Sequence, residues 1–286
     1  MGRTSKKWLL TLLGLAVIAF AGCGRITQKT VYIRLDKPDG LDQQQKAEID
    51  RNFGRYRDAA AKTLRNRFGA AGMYFTRVSP RIGNHLEVKT VVIGEKGERR
   101  LENLLKHLNG RLEFRLVHEN NDWLVNTYLI EFRAKNPIGD KADEQKFLKA
   151  KTPPGYEFMT VYEMDADSPK LRYYYVSQRV EMDGSSVSMA SAGKDQWGNP
   201  KINLRLNSNG ALDFAKVTRR NAGRQLAVVI NGRLYCAPTI MAEITGGSAE
   251  ITGNFSEEET EAIAAALTGG SCPLDFTAVD YVPPVD

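Results

Sequence analysis

Cys236, Cys272, Ser271 and three histidines are the side chains best suited to nucleophilic, redox or metal chemistry, so their spacing decides what chemistry is open. His85, His107 and His118 stand apart from one another and from the cysteines, so no zinc-type spacing is present and no metal is expected. Ser271 lies beside Cys272 but outside any G-x-S-x-G elbow and with no histidine close in sequence. Gly223 is followed by no lysine–serine pair, so it reads as a helix end rather than a phosphate loop. Carboxylates are abundant, yet none is set in an apolar run that would split a pair into acid and base. The expectation is a protein that binds rather than catalyses, with no cofactor. Cys236 and Cys272 keep two readings: a disulfide in an oxidising compartment, or two small buried apolar side chains. The second is favoured, because neither spacing nor flanking residues demands a bridge.

The compartment follows from the other cysteine. Arg3, Lys6 and Lys7 precede an apolar run over 8–21, and Gly22-Cys23 closes it. The run is short of the roughly 20 residues that span a bilayer, and this order is that of an export signal over 1–22. Phe20-Ala21-Gly22-Cys23 resembles the lipobox of bacterial lipoproteins, although Phe20 stands where leucine is usual. That resemblance implies acylation of Cys23 and a lipid-anchored protein on the periplasmic side of the cell envelope. Removing Arg3, Lys6 and Lys7 takes the formal charge from +6 to +3, and the remaining basic residues are scattered, so no nucleic-acid partner is expected.

The elements that must position any site can be read in order. Residues 23–29 read as a tether and 30–35 alternate like a strand. A helix is expected over 41–68, strands over 73–78 and 85–93, a helix over 98–108 and a strand over 111–118. That order is the split βαβ plan of ferredoxin-like folds, giving a domain over 30–118. Residues 119–170 are rich in turn signals and read as an irregular connector with a short helix over 140–149. Strands over 173–182 and 201–206, a helix over 209–221 and short strands over 239–244 and 249–251 follow, in a head and closing strand over 171–280 with a tail over 281–286. Within it, 225–230 and 233–236 form a hairpin through Asn231-Gly232, and Ser256 with Glu259 forms a capping box for a helix over 257–267. The fold class is α+β in two domains. Asn231, Gly232, Gly246, Gly247 and Gly253 read as turn residues. Tyr173-Tyr174-Tyr175 places aromatics on both faces of a strand, either as core and ordinary surface or as a sticky platform for extended polypeptide.

From Asn199-Pro200-Lys201-Ile202-Asn203-Leu204-Arg205-Leu206 onward the residues resemble the first periplasmic domain of SecD, the membrane subunit that assists bacterial protein secretion. The likeness continues through Gly210-Ala211-Leu212-Asp213-Phe214 and the stretch from Thr218 to Gly232. It is most specific at Cys236-Ala237-Pro238-Thr239-Ile240 and from Gly246 to Ser256, which includes Phe255. Leu112-Glu113-Phe114-Arg115-Leu116-Val117 is similar to the strand that closes the family's base region. The resemblance implies a ferredoxin-like base with a mixed α+β head. It also implies partners among unfolded or translocating polypeptides or the subunits of the Sec translocon, with Tyr173, Tyr174, Tyr175 and Phe255 as candidate contacts. SecD proteins continue into membrane helices that carry proton-coupled work, and no such block follows the matched region before Asp286. A structural envelope lipoprotein that reuses the fold is the alternative.

Overall fold

A computed structural model describes residues 25–39, 41–165, 168–268 and 272–279. The leader, Cys23, Ser271, Gly269-Gly270 and the tail lie outside the described residues. The chain begins with β1 (Ile26–Asp36), α1 (Gln43–Arg51), α2 (Phe53–Ala70), β2 (Arg77–Pro80), β3 (His85–Ile93) and α3 (Gly94–Lys106). It continues with β4 (Leu112–Val117), α4 (Asn121–Lys135), α5 (Lys141–Ala150), β5 (Tyr156–Asp165), β6 (Ser168–Asp183), β7 (Val187–Lys194) and β8 (Pro200–Leu206). It ends with α6 (Ser208–Arg220), β9 (Leu226–Ile230), β10 (Arg233–Cys236), β11 (Ser248–Thr252), α7 (Glu257–Thr268) and β12 (Asp275–Val279).

Local chemistry explains the early elements. Asp42 and Gln45 form a reciprocal capping box at the start of α1, with N···O distances of 2.8 and 3.0 Å. The single helix expected over 41–68 is two, because the Asn52 side chain bonds back to the Glu48 carbonyl at 3.1 Å while its own carbonyl starts α2. Residues 26–29, expected as tether, belong to β1 because they pair with 90–93 of β3. Ile33 and Leu35 of β1 face a core with Leu64 and Phe68 of α2, Leu86 and Val88 of β3 and Leu104 of α3.

The base sheet runs β12-β1-β3-β2, antiparallel throughout, with the order of a ferredoxin-like fold. Its fourth strand is β12 near the other end of the chain. β4, expected to close this sheet, instead pairs with β6 and β9 in a five-stranded sheet of order β10-β9-β4-β6-β5. The cause is local. Gly110, at φ 53°, turns the chain across α7, and β4 carries apolar residues to both faces: Leu112, Phe114 and Leu116 into one core and Val117 into another. Such a strand is satisfied where both faces of its sheet are covered.

α7 joins the two parts. Its alanine-rich sequence has seven buried residues; Ala265 packs in the base core, and Ile263, Ala264 and Leu267 pack in the head core with β7 and β8. A helix apolar all round is a buried helix. The three-stranded sheet β11-β8-β7 covers the same head core with Ile202 and Leu204. The expected strand over 239–244 is reduced to one bridge between Thr239 and Gln225.

The stretch expected to be an irregular connector holds α4, α5 and β5. α4 was hidden because its apolar residues do not gather on one face: Trp123 and Ile130 point to solvent while Val125 and Phe132 are buried.

Glu259, in the first turn of α7, ties base to head. It accepts from the Tyr235 hydroxyl at 3.0 Å and from Arg233 at 3.3 Å, and its Oε1 lies 3.8 Å from His107 Nε2 at the end of α3. Burial, only partly offset by Glu259, holds the His107 imidazole below its ordinary value. Protonation of His107 therefore opposes folding, so its stabilising contribution is present above the unfolded value and lost as pH falls through the lower folded one. Between about pH 7.5 and about pH 5.5, the urea midpoint of the native chain is expected to fall more steeply than that of His107→Gln. Parallel pH profiles for the two proteins would contradict the assignment.

Candidate functional site

The tyrosine run is not a surface. β6 lies between β4 and β5, so Tyr174 and Tyr175 are buried and Tyr173 is half-buried. The Tyr175 hydroxyl donates to the Leu148 carbonyl at 3.0 Å and its pKa is pushed up to about 12 by burial. The Tyr174 hydroxyl donates to Glu163 at 2.8 Å, and burial followed by that carboxylate raises its pKa. Tyr173 stacks on Phe158 with ring centroids 5.9 Å apart. Phe255 is also buried, stacked at 5.0 Å and 14° on Tyr235. Tyr174 and Tyr175 are thus corrected from platform to core, Tyr173 is half-buried, and Phe255 is buried apart from the part of its stacked pair with Tyr235 that lines the groove described below.

The turn residues have distinct roles. Asn231 (φ 51°) and Gly232 (φ 77°) make the hairpin turn, and the Asn231 side-chain oxygen accepts from the Arg111 backbone N–H at 2.9 Å. At Gly253 the need is close approach, since a Cβ there would lie 3.1 Å from the Tyr235 carbonyl oxygen. Cys236 and Cys272 are both free and pack against different cores, the head and the base, so the disulfide alternative is not formed. Burial pushes the Cys236 thiol up to about 12 and raises that of Cys272, so neither is a ready nucleophile at neutral pH. Among the described residues no group of His, Cys, Asp and Glu is arranged to hold a metal ion.

What the fold does bring together is a set of segments far apart in sequence. The outer strands of the five-stranded sheet, β5 and β10, come back into contact, yet no strand pairing joins them among the described residues. The face they enclose is filled by Val117, Met159, Val161, Val176, Ala227, Val229 and Leu234. A groove of about 470 Å³ opens along this seam. Its walls are Tyr162 and Glu163 from β5, Tyr235 to Pro238 from β10 and beyond, Asp195, Asn199 and Pro200 around the β7–β8 turn, and Glu250 with Thr252 to Phe255 from β11 and the loop after it. The stacked Tyr235–Phe255 pair supplies an apolar wall and Tyr162 is 53% exposed.

The rim is polar and held. Against the upward push of burial, hydrogen bonds from Asn199 and Trp197 keep the Asp195 carboxyl below its usual range. Asp195 accepts the backbone N–H of Trp197 at 2.9 Å and of Asn199 at 2.8 Å, which fixes the turn and leaves Trp197 77% exposed at its tip. Lys201 binds Glu250 at 2.6 Å. The groove can therefore accept an elongated, partly apolar ligand beside unpaired strand edges and an acidic rim. Three motif segments quoted from the sequence meet here: Asn199-Pro200, Cys236-Ala237-Pro238 and Gly253-Asn254-Phe255. The other wall, Tyr162 and Glu163, was missed, although the β-branched and aromatic content of Tyr156–Asp165 was a strand signal.

A ferredoxin-like base completed by a distant strand, with an α+β head inserted before that strand, defines a two-part α+β protein. Residues 159–274 match the family model described as SecDF, P1 head subdomain. Over that segment the chain is similar to the SecD and SecDF proteins. Protein translocase subunit SecD of Leptotrichia buccalis is 44% identical over 101 residues, which cover 35% of this chain and 25% of that protein. Protein translocase subunit SecDF of Thermus thermophilus is 28% identical over 250 residues, covering 87% of this chain and 31% of that protein. The chain thus spans about a quarter to a third of these relatives. A solved structure from work on SecDF as a membrane component that enhances protein export superposes with TM-score 0.57 at 23% identity, covering 89% of this chain and all of that one. SecDF in a super-membrane-facing form gives TM-score 0.56, also at 23% identity, over 96% of this chain and 35% of that chain. At that identity the likeness is one of fold.

Proposed function

We propose that this chain is a SecD-like periplasmic module, held to a membrane through lipid on Cys23. In this reading it assists protein export by holding an extended segment of a translocating polypeptide in the groove between β5 and β10. The observation that carries the reading is the convergence of the three SecD-like motif segments on that seam. Two strand edges offer main-chain donors and acceptors that any sequence can use, and alternate side chains of the guest would meet Tyr162 and the Tyr235–Phe255 pair. Main-chain pairing gives breadth, and a short 4-residue edge in β10 keeps the grip weak enough to release a moving chain. Glu163 and Asp195 on the rim disfavour acidic guests, while Glu250 is offset by Lys201. The translocon is the natural second partner; no helix among the described residues is long and apolar enough to cross a membrane.

The test is anisotropy of a fluorescent, permanently unfolded polypeptide titrated with the full chain. Tyr162→Ala, at an exposed position on the groove wall, is expected to weaken binding about tenfold, the size of one lost aromatic contact of about 1.4 kcal/mol. Equal binding by the variant would remove the groove from the account. Binding to one folded envelope protein and to no unfolded chain would favour the scaffold reading.

A further inference from the structure

The base carries a second apolar surface that the polypeptide groove does not use. Tyr74 and Phe75, in the turn between α2 and β2, are 82% and 78% exposed. They border a groove of about 610 Å³ whose other side is formed by Ile26 and Ile93, which face each other across β1 and β3 and are themselves exposed. Single exposed apolar residues need no explanation, but two adjacent aromatics beside two isoleucines form a patch that water disfavours.

The rings are held outward. Met73 is buried and its N–H donates to the Phe68 carbonyl at 2.8 Å, which anchors one end of the turn. The Thr76 hydroxyl anchors the other, donating to the Met73 carbonyl at 2.7 Å and lying 2.8 Å from the Thr90 hydroxyl. The patch is also where the chain leaves for its anchor: the Gly94 N–H donates to the Arg25 carbonyl at 3.0 Å, beside Ile26. From Ile26 to Cys23 is three residues, at most about 10 Å of chain. Arg25, Arg77 and Lys96 are exposed nearby and carry charge suited to phosphate headgroups.

We propose that the Tyr74-Phe75 turn and the groove beside it seat on the phospholipid surface at the boundary of headgroups and acyl chains. The contact would orient the base on the membrane and point the head away from it. Aromatic residues flanked by basic ones are the side chains that bilayer interfaces favour. The inference rests on the tether reading, since it is the anchor at Cys23 that brings this patch within reach of a bilayer.

The experiment places a benzophenone side chain at Phe75, Ile93 or Ile138 in the full chain, reconstituted in vesicles of phosphatidylethanolamine and phosphatidylglycerol. Ile138 is 99% exposed, between α4 and α5, and serves as the control. Flotation is measured first, then adducts are identified by mass spectrometry after illumination. Floating protein with phospholipid adducts at 75 and 93 and none at 138 is the expected result. Floating protein without lipid adducts at 75, or with protein adducts only, overturns the membrane contact and leaves the tether standing. A chain that does not float overturns the tether and this contact together.

Discussion

Gly110→Ala is expected to lower the unfolding free energy by about 2–5 kcal/mol, the sum of a left-handed backbone cost and overpacking between two fixed elements. Gly110 has φ 53°, and a Cβ built there lies 2.6 Å from the Ala266 carbonyl oxygen and 2.8 Å from its carbon. Both are backbone atoms in the last turn of α7, so no flexible side chain can yield. Relief requires that the α3–β4 turn move away from α7, at the joint that carries the chain from base to head. Gly232→Ala is the comparison. It has φ 77° with nothing within 4 Å, so it carries the backbone cost of about 1–2 kcal/mol without the collision. Urea unfolding of the two variants separates the effects, and equal losses would show that packing against α7 is not tight.

The second large effect is expected at Arg67. Its side chain is fully buried in the base, donates to the Leu108 carbonyl at the end of α3, and lies over the Phe276 ring of β12 at 5.2 Å. Burial lowers its pKa to about 10, so it stays charged at neutral pH. It thus ties α2 to α3 and to the strand that completes the base sheet. Arg67→Ala removes a large buried side chain and leaves the Leu108 carbonyl without that donor, and a loss of about 4 kcal/mol follows from cavity and hydrogen bond together. Arg67→Met keeps most of the volume and removes a buried charge, so its loss is expected at about 1–2 kcal/mol, mainly the hydrogen bond. Equal destabilisation by Ala and Met would mean that packing is not what Arg67 supplies.

Much of the architecture was legible because it was locally encoded. Alternation marked β1, β3 and β8, Asn231-Gly232 marked the hairpin, and Ser256 with Glu259 marked the start of α7; the Ser256 hydroxyl does accept the Glu259 N–H at 3.0 Å. What failed was pairing between distant strands. The apolar residues on both faces of Leu112–Val117 mark a covered strand but do not name β6 and β9 as its partners, and nothing in Asp275–Val279 says that its partner is β1. β7 escaped notice because Val187–Lys194 is made mostly of small or polar residues, whose strand state comes from pairing with β8. The site was half legible for the same reason. Its motif segments could be quoted from the sequence, but Tyr173–Tyr175 looked like a surface until β5 was seen to cover the edge of β6 and to supply Tyr162 and Glu163 instead.

The most direct test of the central claim is photo-crosslinking in living cells from positions 162 and 254, on opposite walls of the seam, with position 138 as control. The account predicts adducts with newly exported chains from both groove positions and none from the control. Adducts confined to a single folded envelope protein, or groove adducts no stronger than those from 138, would contradict it.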